Sequence, residues 1–376
     1  MERQSEAAGG EVPGKLEEFG MERAPVVAGI GMCLPPRSVD NHEMSRELDT
    51  THEWILSRTG IARRRRADAG TSTGDLAVGA AAGALASSGD AGADALVVAT
   101  TTPDRRCPAT GPEVAARLGL GEIPAFDVAA VCTGFLYGLT VASALIRSRT
   151  YHRVLVVGAE TYSRIVDPLD RGTAVIFGDG AGAVLVRGGD PDEPGALLGT
   201  HLGSDGSGAD LIAIAAGGAR TPHPDPESGR ELPREERYFS MRGRQVYGQA
   251  VHRMTACARV VLDRAGWAPG SLGAFVGHQA NQRILDAVGD KLHIPAERRF
   301  GNIRDVGNTA AASIPLALAD TAAAGRVRPG ARTLLTAFGG GLTWGAATLT
   351  WPAAAPVACP PAVRPSTAAP TGRTVE

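Results

Sequence analysis

One order of elements occurs twice in this chain, and the repetition narrows the architectures open to it. In the first half, an apolar helix pattern beginning at Cys132 (Leu136, Leu139, Ala142, Leu145) leads to the strand-like Arg153-Val-Leu-Val-Val-Gly158. Phe177-Gly-Asp-Gly-Ala-Gly-Ala-Val-Leu-Val186 follows. In the second half, a helix pattern opening near Asn308 leads to Thr333-Leu-Leu-Thr-Ala-Phe338 and then Gly339-Gly-Gly-Leu-Thr-Trp-Gly-Ala-Ala-Thr-Leu349. Helix, strand, glycine-rich turn and strand recur in the same order. Apolar strands alternating with helices, such as Ala95-Leu-Val-Val-Ala-Thr100, predict an α/β protein with buried sheets. The repeat puts Cys132 and Asn308 at equivalent helix starts, so two related halves meeting face to face would bring both to one site.

The rest of the chain divides around those halves. Residues 1–23 are polar and aperiodic and are expected to be a flexible extension. The two halves are assigned to 24–195 and 196–352, and 353–376, rich in Ala, Pro and Thr, reads as a disordered tail. The segment 217–236, rich in Pro, Gly and charge, reads as an exposed excursion. Gly178-Asp-Gly-Ala-Gly-Ala183 fits a dinucleotide-binding fingerprint on paper, but a strand follows it rather than the required helix. It is read instead as a tight strand-to-strand turn.

A net charge of −2 argues against a general nucleic-acid-binding surface. The one basic block, Arg63–Arg66, is expected to be a solvated loop, with an anion site as the other reading. The amino terminus lacks the apolar core of a secretion signal, and no membrane-spanning run appears. Five cysteines form no CxxC pair, and a reducing cytoplasm is expected. Cys33, Cys257 and Cys359 read as inert small hydrophobes. No His, Cys, Asp and Glu cluster has metal-ligand spacing.

Chemistry concentrates in three polar islands. Cys132 opens a helix, where the macrodipole and free N–H groups favour a thiolate. His278 and Asn308 lie in Gly277-His-Gln-Ala-Asn281 and Gly307-Asn-Thr-Ala-Ala-Ala-Ser313. Each alone has an ordinary explanation: a core thiol, a core histidine, an N-cap. Together they are the parts of a cysteine nucleophile with imidazole and amide support.

The chain resembles the β-ketoacyl-acyl carrier protein synthase III family of the thiolase superfamily from about residue 25 to 351. The motifs that carry the resemblance begin with Glu53-Trp-Ile-Leu-Ser-Arg-Thr-Gly-Ile61, Asp127-Val-Ala-Ala-Val-Cys-Thr-Gly134 and Asp167-Pro-Leu-Asp-Arg-Gly-Thr173. They continue with Phe177-Gly-Asp-Gly-Ala-Gly182, His201-Leu-Gly-Ser-Asp-Gly206, His278-Gln-Ala-Asn281, Gly307-Asn-Thr309 and Phe338-Gly-Gly-Gly-Leu-Thr-Trp344. The resemblance implies a thiolase-like fold, two pseudo-duplicated βαβ-rich halves layered α-β-α-β-α, in a homodimer. It also implies acyl-CoA and malonyl-acyl carrier protein as substrates, with no other cofactor and no membrane partner.

By the same resemblance, Cys132 would take the acyl group, and His278 and Asn308 would stabilise the enolate formed when malonyl loses CO2. Gly340 would complete the oxyanion hole with Cys132, and Phe338 would shield the nucleophile. Trp54, Arg58, Thr59, Arg171 and Asn281 would serve CoA, and Arg283 the carrier protein. Cys107, from the opposite subunit, and Phe177 and Phe239 would shape the acyl pocket. Four departures from the family pattern stand beside these. Cys107 replaces a bulky phenylalanine and would admit a longer or branched acyl chain than acetyl, and Phe239 replaces a leucine and would narrow another wall. Gly277 replaces a frequent proline and would loosen the backbone at His278, and Asp290 replaces a lysine and would weaken or retune carrier-protein docking. Two other readings stay open: an acyltransferase that forms no C–C bond, and a non-catalytic partner subunit.

Overall fold

The computed structural model describes residues 23–90, 92–222 and 232–359. Its strands in chain order are β1 (Ala24–Cys33), β2 (Arg37–Asp40), β3 (Arg63–Arg66), β4 (Ala95–Ala99), β5 (Ala125–Val128), β6 (Arg153–Thr161) and β7 (Asp179–Gly189). Then come β8 (Leu197–Ser204), β9 (Ile212–Ala213), β10 (Ser240–Met241), β11 (Ala274–Gly277), β12 (Arg332–Gly339), β13 (Thr343–Thr350) and β14 (Val357–Ala358).

The duplication is visible in the sheets. The first runs β14-β1-β7-β6-β4-β5 and the second β11-β12-β13-β8. In the first, β1, β7 and β6 are successively antiparallel, and β6 runs parallel to β4. In the second, β8, β13 and β12 are successively antiparallel, and β12 runs parallel to β11. Strand for strand, β8-β13-β12-β11 repeats β1-β7-β6-β4. Even the next neighbour has a counterpart: β5 pairs parallel with β4, and Arg299 makes a parallel bridge to Phe275 of β11.

Helices complete five layers. Gly134–Arg147 and Ser313–Ala323 lie between the sheets, each packed on strands of both. The Thr73–Ser88 helix covers the outer face of the first sheet, and Gly243–Ala265 with Gln282–Lys291 covers the second. The middle helices are apolar nearly all round, as burial between two sheets demands. Leu136, Val156, Ile314, Leu318 and Leu335 join the layers into one core. Strand β4 is an uninterrupted buried Ala, Leu and Val run, and β6 is buried along its length from Val154, the pattern of sheets covered on both faces. Among the described residues, no helix is long and apolar enough to cross a membrane.

Several expectations are corrected. Arg63–Arg66 is not a solvated loop but strand β3, whose alternation turns Arg64 inward to 0% exposure. Its guanidinium donates to Val39 O, Asn41 Oδ1 and Val175 O, and burial lowers its pKa to about 10. Gly178–Ala183 forms no turn; from Asp179 it is strand β7. A Cβ on Gly182 would fall 2.8 Å from the Leu316 N and Pro315 Cβ, so glycine lets the middle helix approach.

The carboxy-terminal expectation also changes. Residues 353–359 are ordered, with β14 parallel to the edge of β1 and a Cys33–Cys359 disulfide fastening the end. Gly79 and Gly83 make room for them, since a Cβ at Gly83 would strike Val357 O. Cys33 and Cys359 are therefore cross-linked rather than free hydrophobes. The extension 1–22, the rest of the tail (360–376) and residues 223–231 of the expected excursion lie outside the described residues. The described flanks of that excursion are partly to fully exposed.

Candidate active site

The two middle helices begin alike. A 3-10 turn, Val131–Thr133, precedes the Gly134–Arg147 helix, and another, Ala310–Ala312, precedes Ser313–Ala323. Each turn opens on a residue with positive φ, Val131 at 47° and Ala310 at 44°. The two turns touch. This register corrects the expected equivalence: Cys132 corresponds to Ala311, and Asn308 lies before the second turn.

Cys132 is 9% exposed, and the turn that carries it is held by backbone and hydroxyls. A Cβ on Gly339 would lie 2.9 Å from Cys132 N and 3.0 Å from its Cβ, so only glycine fits at the end of β12. The expected Gly340 lies one residue further, against Ile212. Thr133 Oγ1 donates to Ala130 O at 2.6 Å and lies 2.7 Å from Thr343 Oγ1, which donates to Gly340 O. These hydroxyls lock the cysteine turn to the glycine turn. Phe338 packs with Met254 and Leu342 on the other side of the sheet, not in the apolar cluster that holds Cys132.

The expected thiolate is not the resting form. Burial pushes the Cys132 thiol well above its ordinary value, and the charge of Glu160 adds to this. Desolvation outweighs the helix dipole here. Glu160 is itself fully buried, and burial raises its pKa to about 7. It accepts from Thr101 N at 3.1 Å and Thr102 Oγ1 at 2.8 Å.

His278 follows β11, and its N–H extends the β12 ladder to Thr336 O at 2.8 Å. Its Nδ1 lies 2.6 Å from Ser313 Oγ, and burial lowers its pKa to about 3. The ring is neutral at neutral pH. Gly277 before it does not loosen the backbone: it pairs with Thr336, and a Cβ there would strike Leu285 at 2.5 Å.

Asn308 is held from both sides. Its N–H donates to Ile176 O and its carbonyl accepts from Gly178 N, each at 2.9 Å. Arg64 supports this loop from beneath, since its Cβ is 2.9 Å from where a Gly307 Cβ would stand. Asn308 Oδ1 accepts from Ala310 N at 2.9 Å, leaving the amide NH2 with no protein partner among the described residues.

Cys132, Tyr162, Phe177, Phe239 and Ala310 share one apolar cluster. Tyr162 and Phe177 stack at 4.4 Å, and Phe239 stands edge-on to both at 5.3 and 5.0 Å. Cys107 is exposed on a loop of the single chain and belongs to no such cluster.

At the surface, Arg58 and Arg171 both lie over Trp54, at 5.0 and 5.3 Å from the ring centroid. Thr59 is turned inward instead: its hydroxyl donates to Ile55 O and accepts from Ile61 N. Asn281 caps the Gln282–Lys291 helix through Arg283 N and donates to Arg58 O at 3.0 Å. Both ends of its amide are engaged by the protein. Arg283 is exposed beside Tyr247, and Asp290 is paired with Arg299 at 2.7 Å.

Sequence reasoning missed Ser313, Glu160, Tyr162, Gly339 and the Thr133–Thr343 pair. Glu160 and Tyr162 did leave a signal, as polar groups within or just after an apolar strand. Gln279 was also missed; its side chain bonds Gly277 O, Asn302 N and Ile303 N and ties the histidine loop to the Asn308 segment.

Two family profiles match the chain: 3-oxoacyl-[acyl-carrier-protein (ACP)] synthase III over residues 126–206, and its C-terminal counterpart over 262–351. Beta-ketoacyl-[acyl-carrier-protein] synthase III 3 of Streptomyces coelicolor is 59% identical over 339 residues, covering 90% of this chain and 100% of the relative. The crystal structure of 3-oxoacyl-(acyl carrier protein) synthase III from Pseudomonas aeruginosa PAO1 superposes with a TM-score of 0.82 at 48% identity, covering 89% of this chain and 100% of that one. The priming β-ketosynthase from the R1128 polyketide biosynthetic pathway gives 0.82 at 33% identity, covering 90% and 99%.

Proposed function

The chain belongs to the β-ketoacyl-[acyl-carrier-protein] synthase III family, and from that premise we propose how its residues divide the reaction. The enzyme is a condensing acyltransferase. It joins an acyl group from acyl-CoA to malonyl-acyl carrier protein, releasing CoA and CO2 and priming fatty-acid synthesis.

Cys132 attacks the acyl-CoA thioester. The new bond is sulfur to acyl carbon, the bond broken is carbon to CoA sulfur, and the thiol proton leaves on CoA. The resting thiol supports this order, since ionisation and attack are then coupled and no bare thiolate waits in the site. Malonyl thioester binds next. Loss of CO2 leaves an electron pair on the α-carbon, delocalised onto the thioester oxygen. His278 and Asn308 donate to that oxygen. The carbanion then attacks the acyl-Cys132 carbonyl, and the carbon–sulfur bond breaks with the electron pair on sulfur. Cys132 takes one proton from solvent to return to the thiol as a 3-oxoacyl-carrier protein departs. Backbone N–H groups of Cys132 and Gly340 receive the oxyanion, with Gly339 providing the close approach. Thiol, imidazole and amide suffice for every step, so no cofactor beyond the CoA substrate is required.

The observation that carries this reading is Asn308. Its Oδ1 is tied to Ala310 N–H, so the free end of the amide is a pure donor. A pure donor just ahead of the helix whose Ser313 bonds the neutral, buried His278 suits an enolate; simple acyl transfer has no use for it.

Trp54, Arg58 and Arg171 receive the nucleotide of CoA. The exposed Arg171–Asp49 pair is weak enough to open when adenine takes the ring face. Asn281 acts by holding the Arg58 helix against the Gln282–Lys291 helix. Arg283 with half-exposed Tyr247 receives the acidic carrier protein. Tyr162, Phe177 and Phe239 form the starter wall, whose contiguous rings suit a short acyl group. The protein is a homodimer. Edge strand β5 with exposed Phe126 supports this, as does the exposed Cys107 loop, which needs a second subunit to reach a pocket.

Intact-protein mass spectrometry after incubation with a panel of acyl-CoAs tests the proposal. Wild type should gain one acyl mass, located on Cys132, and Cys132→Ala none. An adduct on the Cys132→Ala protein would refute the assignment.

A further inference from the structure

Ser313 opens the second middle helix and is 1% exposed. Its Oγ has two neighbours. It accepts from the Gln279 backbone N–H at 3.3 Å, and it lies 2.6 Å from His278 Nδ1. A serine hydroxyl has one hydrogen to give and two lone pairs to offer. If Nδ1 carried the imidazole proton it would donate to Oγ, and the hydroxyl hydrogen would then have no acceptor among the described residues. If Nδ1 is bare, the hydroxyl donates to it and all three groups are satisfied. An unmade buried hydrogen bond disfavours the first arrangement by roughly five- to a hundredfold.

We infer that Ser313 is a positioning residue that holds His278 in its Nε2–H tautomer, making the ring a hydrogen-bond donor toward the substrate. This rests on the donor role proposed for His278 and adds the residue that enforces it. The duplication sharpens the point. Gly134 occupies Ser313's place in the first half, where a Cβ would meet Ala99 Cβ at 2.9 Å. The hydroxyl is thus peculiar to the half that carries the histidine. A ring with its proton on Nε2 has no lone pair there for the Cys132 proton. Ser313 therefore serves decarboxylation and not thiol activation.

The test is nitrogen NMR of 15N-histidine-labelled protein near pH 7, with the His278 signals identified by their loss in His278→Asn. The expected spectrum has an unprotonated, pyridine-type Nδ1 and a protonated Nε2. Ser313→Ala should mix the tautomers and slow decarboxylation by the acyl-enzyme roughly five- to fiftyfold, with a much smaller effect on acyl loading. Ser313→Thr, which keeps the hydroxyl, should restore most of the rate. A protonated Nδ1 in the wild type would overturn the inference, whether or not Ser313→Ala folds. So would a Ser313→Ala protein with tautomer and decarboxylation rate both unchanged. Wild-type decarboxylation by His278→Ala would instead remove the role proposed for His278, leaving the tautomer to the spectrum.

Discussion

Val131 and Ala310 hold the same left-handed backbone conformation, at φ 47° and 44°, each opening the turn that starts a middle helix. Such a conformation costs a non-glycine residue about 1–3 kcal/mol and persists only where its surroundings enforce it. Here it occurs at both copies of one structural position, and the two turns touch. The strain aims Cys132 from one half and orders the Asn308 amide, through Ala310 N, in the other. The duplicated fold thus delivers two different chemistries to one place.

The Gly339 contact predicts a selective defect. Gly339→Ala puts a Cβ 2.9 Å from Cys132 N, and that backbone cannot move without moving the nucleophile. Acyl loading should slow about a hundredfold, the typical effect of an ångström-scale misplacement. Rapid-quench mass spectrometry of the acyl adduct checks it; loading at the wild-type rate would show that Cys132 tolerates displacement.

Asn308→Ala should separate the half-reactions. Acyl loading should persist, whereas CO2 release should fall roughly 10²- to 10³-fold, as for loss of one oxyanion donor. Parallel assays of adduct mass and labelled CO2 measure the two. Equal losses in both would contradict the division of labour.

Two buried groups shape the pH dependence of stability. His278 falls from 6.5 to about 3 on folding, so it contributes stability above pH 6.5 that is lost progressively down to pH 3. Glu160 rises from 4.5 to about 7, so its contribution is present below pH 4.5 and lost as pH rises to 7. Between 4.5 and 6.5 the two slopes cancel. In Glu160→Gln the histidine slope stands alone, and stability should fall by about 1.4 kcal/mol per pH unit from pH 6.5 downward. Denaturant titrations of both proteins at pH 5 and 6.5 check this. Identical differences would remove one of the two groups from the account.

The Cys33–Cys359 bridge joins residues 326 apart and pins β14 to β1. Cys359→Ser should cost roughly 2–4 kcal/mol of stability. It should also speed proteolysis between residues 353 and 359 while leaving turnover unchanged, because the bridge packs in the cluster beneath the Thr73–Ser88 helix and not in the one that holds Cys132. A thermal melt with peptide mapping tests this; unchanged cleavage would mean that strand pairing alone holds the tail.

The sequence was readable where side-chain period and repetition carry the message. The doubled element order predicted the matched sheets, and the polar islands singled out Cys132, His278 and Asn308. It was misleading where burial reverses the usual meaning of a residue. Four arginines read as solvated, yet strand alternation sends Arg64 inward, to acceptors 23 to 111 residues away in the chain. Cys132 read as a thiolate because helix starts are visible in sequence, whereas its burial and the nearby Glu160 are not. Cys33 and Cys359 could not be paired across 326 residues without the strand that brings them together. Ser313 closes the Gly307–Ser313 motif, but its tie to His278 depends on a three-dimensional register that no local pattern encodes.

The central claim, that this site makes a carbon–carbon bond, is tested most directly by single turnover of isolated acyl-Cys132 enzyme with malonyl-acyl carrier protein. One CO2 and one 3-oxoacyl-carrier protein per acyl group discharged is the predicted result. Discharge of the acyl group onto the carrier without CO2 would contradict it and make the enzyme a simple acyltransferase.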